Sequence, residues 1–392
     1  MLKLPRNVWI LTLALSLFMS LSVFIIFIGG IIGQSLSPIK SLSTLPVAMI
    51  VIGTAVSIFP INYIMSKIGR RRTFLYVCIY TIMNITVIVA SLYLQSFILF
   101  CLSTFLFGGT AATMNQFRFA AIESVNKEQV ASATSLVLLG GLISAFLGPE
   151  IATSGRHLFE VEFVGSFILL GVCFVVAFIL LSLFVPAKKL SLPQDNSTRK
   201  LIDILKQPIF IVAMSSAASG YVIMSYIMTA TPVSMHSMDG FSLEHTKFVI
   251  QSHVVAMFLP SLFTPIIIKL LGVSRMMLAG IVMYFICIAV AYTGHMLVNY
   301  WISLVLLGLG WNFLFIGGTT MLPRSYEENE KYKVQTINDF LIFGLQAFAS
   351  LSAGWFVFTY GWEVVLVSVI PILFIQFIIL VWWLKSKNLL EE

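Results

Sequence analysis

Long apolar stretches recur along this chain, separated by short polar breaks. They fall near 8–33, 42–65, 73–93, 98–123, 131–153, 162–185, 209–232, 243–268, 275–294, 300–322, 334–357 and 362–384. A helix of about 20 apolar residues spans the hydrocarbon core of a bilayer, and most of these stretches reach that length. The pattern predicts an all-α membrane protein of twelve transmembrane helices. The longest hydrophilic stretch, Pro186 to Pro208, carries two prolines at its ends and another at Pro193, with Asp195-Asn-Ser-Thr and five basic residues. It cannot be a span, and it reads as a linker. The expected organisation is a six-helix bundle over 1–185, a linker over 186–208 and a second six-helix bundle over 209–392.

The two halves echo each other. Val130-Ala-Ser-Ala-Thr-Ser135 leads to Gly140, and Val334-Gln-Thr-Ile-Asn-Asp339 leads to Gly344 at the same offset. Glu123 then falls on Glu327, Ser57 on Ser261 and, with one residue of slippage, Gly69 on Gly272. In order, and around a central linker, these matches predict pseudo-symmetric halves. The glycine pairs Gly29-Gly30, Gly108-Gly109, Gly140-Gly141 and Gly317-Gly318 fit close helix contact.

Charge adds a direction. If the spans alternate, one side collects most of the 23 lysines and arginines, from Lys3, Arg6 and the Lys67, Arg70–Arg72 cluster to Lys385 and Lys387. Lys40, Arg156, Lys247 and the intramembrane Arg118 are the exceptions. Basic loops stay cytoplasmic, so both termini are expected there, in the cell inner membrane. The net charge of +7 follows from this sorting and points to no nucleic-acid partner.

Composition agrees: 59% of residues are hydrophobic and 10% charged, with a mean hydropathy of +1.00. A soluble chain of 392 residues has no way to hide that much apolar surface. Cys78, Cys101, Cys173 and Cys287 lie inside apolar stretches without CxxC spacing and read as reduced packing residues. The basic and apolar N-terminus reads as an uncleaved first helix. The sequence contains no GxxxxGK[ST], HExxH or GxSxG motif, so no enzyme chemistry, cofactor or metal is implied. A weak external metal contact at His236, Asp239, Glu244 and His245 competes with a solvated loop.

The loop after the second span, Asn62-Tyr-Ile-Met-Ser66-Lys67-Ile-Gly69-Arg70-Arg71-Arg72, resembles the signature between helices 2 and 3 of the major facilitator superfamily. Gly69 and the basic cluster match; Asn62 and Ser66 stand where that signature has glycine and aspartate. Gly148-Pro149 resembles part of the family's antiporter motif, without its following glycines. Phe117-Arg118-Phe119-Ala120-Ala121, Gly308-Leu-Gly-Trp311-Asn312-Phe313 and Lys333-Val-Gln335-Thr-Ile-Asn338-Asp339-Phe340 resemble one bacterial branch, whose relatives include importers of riboflavin and of iron-siderophore complexes. The resemblance implies two six-helix bundles around a solute site lined by helices 1, 4, 7 and 10.

Polar residues inside a bilayer are costly and mark candidate sites. Arg118 and Asp339 fall at matching depths in the two halves. They are expected to pair across the halves, directly or through Asn338 or Gln335, in gating or proton coupling. The plainer readings are that Arg118 snorkels to the interface and that Asp339 caps helix 11. Glu150 is either a proton-coupling carboxylate or an interfacial residue. His253, near mid-membrane, either serves substrate and protons or bonds a neighbouring carbonyl in the core. Asn115, Tyr221, Trp311 and Asn312, on helices 4, 7 and 10, are the substrate-contact candidates; the aromatic ones suit flat or amphipathic ligands.

These observations predict a secondary transporter, working as a monomer, that moves a small organic solute by alternating access, with proton-coupled import expected. A proton-antiport exporter of drugs or metabolites is the alternative within the class. A non-transporting membrane sensor of the same fold is the alternative outside it.

Overall fold

A computed structural model describes residues 4–126, 129, 133, 136–185, 199–327 and 330–391. The described residues are helical and contain no strand. Among the described residues, eleven helices are long and apolar enough to cross a membrane by length and composition. In chain order we label the spans α1 (Arg6–Leu36), α2 (Leu45–Ile68), α3 (Arg70–Tyr93), α4 (Phe97–Ile122), α5 (Leu136–Ser154), α6 (Val164–Ser182) and α7 (Pro208–Met238). They continue as α8 (Leu243–Phe258 and Thr264–Leu271), α9 (Val273–Tyr292), α10 (Leu297–Met321), α11 (Lys331–Tyr360) and α12 (Trp362–Ser386).

The expected α8 is interrupted. A tighter turn over Leu259–Leu262 splits it, because Pro260 offers no backbone N–H to continue the α ladder. With its two segments, the chain makes twelve spans in two pseudo-symmetric six-helix bundles. A second break, in α4 at Asn115–Gln116, has no glycine or proline to announce it. Of the expected linker, residues 186–198 lie outside the described residues, as do Lys3, Lys127, Lys188, Lys189 and the repeat stretch 130–135 apart from Ala133. The last part of that linker forms a short helix, Leu201–Leu205.

Each bundle has its own core. In the first, Phe18 packs on Phe117 and Phe174 at ring distances of 4.9 and 5.1 Å. Glycines set the tightest crossing: a Cβ on Gly53 or Gly108 would overlap the facing backbone where α2 meets α4. In the second, the fully buried Tyr284 donates to the Gly220 carbonyl at 2.8 Å, joining α9 to α7. Many large apolar side chains, Ile98, Leu270 and Phe348 among them, point outward, as lipid-facing residues do. The symmetry survives in the turns: Gly69 (φ 83°, ψ 162°) and Gly272 (φ 77°, ψ 158°) adopt one left-handed conformation between corresponding spans.

The bundles meet along α2 against α11, α5 against α8 and α1 against α7. The start of α1 and, by the even number of spans, the end of α12 lie at one face, which we call the terminal face; Arg6 donates from the start of α1 to the Leu183 carbonyl past the end of α6 (3.1 Å). Asp339 sits inside α11, eight residues beyond its first residue, Lys331. It therefore does not cap that helix, which corrects the capping reading. It stands a little over two turns in from the start of α11 at the terminal face.

Candidate functional site

Arg118 lies in the short second segment of α4, Phe117–Ile122, just past the break. Its Nη2 stands 3.9 Å from Asp339 Oδ2 on α11, so the pair joins the two bundles near the terminal face. Both side chains keep partial exposure, 29% and 26%. The contact is incomplete. A charge-assisted hydrogen bond is about 2.7–2.9 Å long, and this one is a full ångström longer. Arg118 Nε is buried and finds no hydrogen-bond partner among the described residues. Its guanidinium lies 4.7 Å from the Phe119 ring. Asp339 Oδ1 accepts from Asn338 Nδ2 at 3.2 Å. Gln335 is turned elsewhere and donates to the Tyr326 hydroxyl at 2.8 Å, so it takes no part in the pair as placed.

One turn along α11 from Asp339, Phe343 joins a wall of aromatic rings on the second bundle. Tyr221 on α7 sits edge-on to Trp311 (5.3 Å), Phe315 (5.2 Å) and Phe343 (5.5 Å). Trp311 and Phe315 are near parallel, 4.9 Å apart and 17° between planes. Phe258 closes the group at 5.7 Å from Trp311, and Gly141 of α5 abuts its ring from the other bundle. Arg118 and Asp339 both lie within electrostatic reach of Tyr221. Trp311 Nε1 is buried without a hydrogen-bond partner among the described residues. Deeper on the same faces of α7 and α11, Gln346 Nε2 donates to Ser225 Oγ (3.4 Å) and Thr229 meets Ser350 (3.1 Å).

The remaining candidates are distributed differently. Asn115 is half-buried and occupies the α4 break itself. Asn312 is fully buried and donates from Nδ2 to the Met257 carbonyl and to Ser261 Oγ, each at 2.7 Å, pinning α10 to the interrupted stretch of α8. His253 is also fully buried; its Nδ1 stands 2.7 Å from the Leu304 carbonyl, the core placement among its two readings. None of its contacts reaches Arg118 or Asp339.

Glu150 lies at the opposite face. Its Oε1 is 3.2 Å from Lys247 Nζ on α8, which also pairs with Glu244 at 2.7 Å; Gln251 donates to Glu150 at 3.5 Å. The residue pattern does not announce this second crossing between bundles: Lys247 reads there as an external charge, although Glu244 and Gln251, three residues before it and four after, share its helix face.

In the loop signature, Gly69 supplies the left-handed turn and Arg70 grips α4. Arg70 Nε and Nη2 donate to Glu123 at 2.8 and 2.6 Å, and its Nη1 donates to Gln116 at 3.1 Å. Arg71 donates to the Ser182 carbonyl, while Arg72 is exposed. Elsewhere on the terminal face Arg199 donates twice to Glu330, at 2.9 and 2.6 Å, and holds that carboxyl down to about 2. On the opposite face His295 bridges Asp239 (2.8 Å) and Glu363 (2.7 Å), which raise its pKa. Asp239 and Glu244 are thus engaged by His295 and Lys247, and no group of three His, Cys, Asp or Glu side chains among the described residues is arranged to hold a metal ion.

Twelve spans in two bundles, with charge pairs bridging them at both faces, define a multi-pass membrane transporter fold. A profile of the Major Facilitator Superfamily matches residues 9–267, and the chain belongs to that family. It is 34% identical over 390 residues to the riboflavin transporter RfnT of Brucella anthropi (strain ATCC 49188), covering 99% of this chain and 98% of that one. It is 29% identical over 346 residues to YddS, an uncharacterised MFS-type transporter of Bacillus subtilis (strain 168), covering 81% and 77%. Among solved structures, the human organic anion transporter MFSD10 matches with a TM-score of 0.69 at 11% identity, covering 96% of this chain and 99% of its own. A bacterial homolog of the human lysosomal transporter Spinster, inward-facing and unoccupied, matches with a TM-score of 0.69 at 14% identity, covering 99% and 98%. These structures establish the fold. The chain is a transporter of a small molecule and not an enzyme.

Proposed function

We propose that this transporter carries riboflavin, or a close flavin, into the cell across the bacterial inner membrane, coupled to protons, with both termini cytoplasmic. The observation that carries the substrate is the end-to-end relationship to a riboflavin transporter. The aromatic wall of Tyr221, Trp311 and Phe315 supports it, because a flat tricyclic ring gains from stacking and edge contacts. The orientation rests on the sorting of basic residues to the terminal face. The moving bodies are residues 1–185 and 209–392, with 186–208 as their connection.

In this reading the two crossings alternate. The Lys247–Glu150 group holds the outer face closed in the present arrangement. Arg118 and Asp339 approach each other at the inner face without completing their bond. Opening outward breaks the first and tightens the second, and Asp339 is the proton carrier. The test is riboflavin uptake into proteoliposomes under an imposed pH gradient. Accumulation driven by an acidic exterior and abolished by a protonophore is the expected result. Uptake no faster than in empty liposomes removes the substrate. Uptake indifferent to the gradient removes the coupling, and accumulation of opposite sign assigns export.

A further inference from the structure

We propose that the Arg118–Asp339 pair reads the cyclic-imide edge of the substrate, so that it serves as the specificity element as well as a gate. This rests on the flavin reading above. Three observations meet here. The two charges are held 3.9 Å apart, too far for the hydrogen bond each is able to make. Arg118 Nε is buried and unpartnered among the described residues, and Asp339 has only Asn338 on its other oxygen. Asp339 lies one helical turn from Phe343, whose ring meets Tyr221 of the aromatic wall at 5.5 Å.

A buried charge left short of hydrogen bonds is costly, and a ligand that supplies them is bound in proportion. The groups on offer are specific. A guanidinium only donates, and the Asp339 carboxyl accepts whether ionised or, when it carries the proton, through its carbonyl oxygen. The matching ligand edge presents a carbonyl beside an N–H on a rigid plane. An imide, with carbonyls on both sides of one N–H, does this, and the pyrimidine end of a flavin is an imide. Arg118 then donates to a ring carbonyl and Asp339 accepts the imide N–H. The ring system lies against Tyr221 and Phe315, two rings of the wall that keep partial exposure. A flat aromatic without that edge would stack on the wall but leave both charges unsatisfied.

The test compares riboflavin with its N3-methyl derivative, which keeps the ring, the carbonyls and the ribityl chain but has no imide N–H. Equilibrium binding to the purified full-length protein in nanodiscs is read by quenching of flavin fluorescence. The expected result is that N3-methylriboflavin binds roughly tenfold or more weakly than riboflavin, as for loss of one buried hydrogen bond to a charged group. Asp339→Ala is expected to bind both flavins alike, at the weaker level, with Arg118→Ala weakening both. Equal affinity of the native protein for the two flavins overturns the imide reading while leaving riboflavin as the substrate. Failure of the native protein to bind riboflavin at all overturns the flavin reading, and this inference with it. The comparison on native protein stands even where a variant does not fold.

Discussion

The two crossings between the bundles are built in opposite ways. At the opposite face Lys247, itself mostly sheltered, has three partners, Glu150, Glu244 and Thr153, and the two carboxylates are more than half exposed. At the terminal face Arg118 and Asp339 have nearly no one but each other, sit mostly sheltered, and still fall short of a proper bond. Redundant, wet ion pairs contribute little each and are easily exchanged for water. Sheltered, unsaturated ones are sensitive to whatever enters between them. The first arrangement suits a latch and the second suits a recognition site.

The comparison is most easily broken at the sheltered pair. Both members of this partly exposed pair are assigned to the inner gate and to substrate contact, so Arg118→Ala or Asp339→Ala is expected to reduce riboflavin uptake to background. The double exchange Arg118→Asp with Asp339→Arg is expected to restore part of it; no recovery in the exchanged protein would break the pairing. Next in size is Gly141→Val, whose side chain would meet the Phe258 ring. Overpacking of this kind costs about 1–3 kcal/mol, to be read as a lowered melting temperature in detergent. Tyr221→Ala is expected to weaken riboflavin binding by about 0.5–1.5 kcal/mol from lost edge contacts, and unchanged affinity would remove the aromatic wall from the site. Lys247→Ala should cost no more than about 1 kcal/mol, and less at high salt. An effect of Lys247→Ala on uptake as large as that of Asp339→Ala would erase the contrast between the faces.

The smallest effect is the most diagnostic of environment. His295 is held above its ordinary value of 6.5 by Asp239 and Glu363. Its stabilisation is therefore complete below that ordinary value and lost as pH rises through the raised one. The melting-temperature gap between the native protein and His295→Gln should be widest in mildly acidic buffer and close as the pH is raised. A gap independent of pH would show that the bridge contributes nothing through charge.

Much of this was legible in the residue pattern. Apolar length alone located the spans, and the internal repeat placed Arg118 and Asp339 at one depth. What escaped had identifiable causes. The α4 break lies in Asn115-Gln116, two residues that interrupt a helix only through their setting, here the Arg70 bond to Gln116. The break in α8 was signalled by Pro260, but proline inside α2, α5 and α7 is tolerated without one. Lys247 with Glu150 is a contact across 97 residues between bundles, and no periodicity within one helix reports the neighbour in another. Trp311 and Asn312 are adjacent in sequence, yet one joins the ring wall and the other pins α10 to α8, because successive helical residues point about 100° apart.

The matching turns at Gly69 and Gly272 have a consequence for how such a chain is able to diverge. Both need a dihedral angle that side-chain-bearing residues resist, and neither has any neighbour within 4 Å to constrain it sterically. Gly240 and Gly361 share a positive φ, so a saturation scan would find intolerant glycines at all four positions, with Gly69 and Gly272, 203 residues apart, as the matched pair. Ancestry in this molecule is written as an angle, in places where the letters around it have drifted apart.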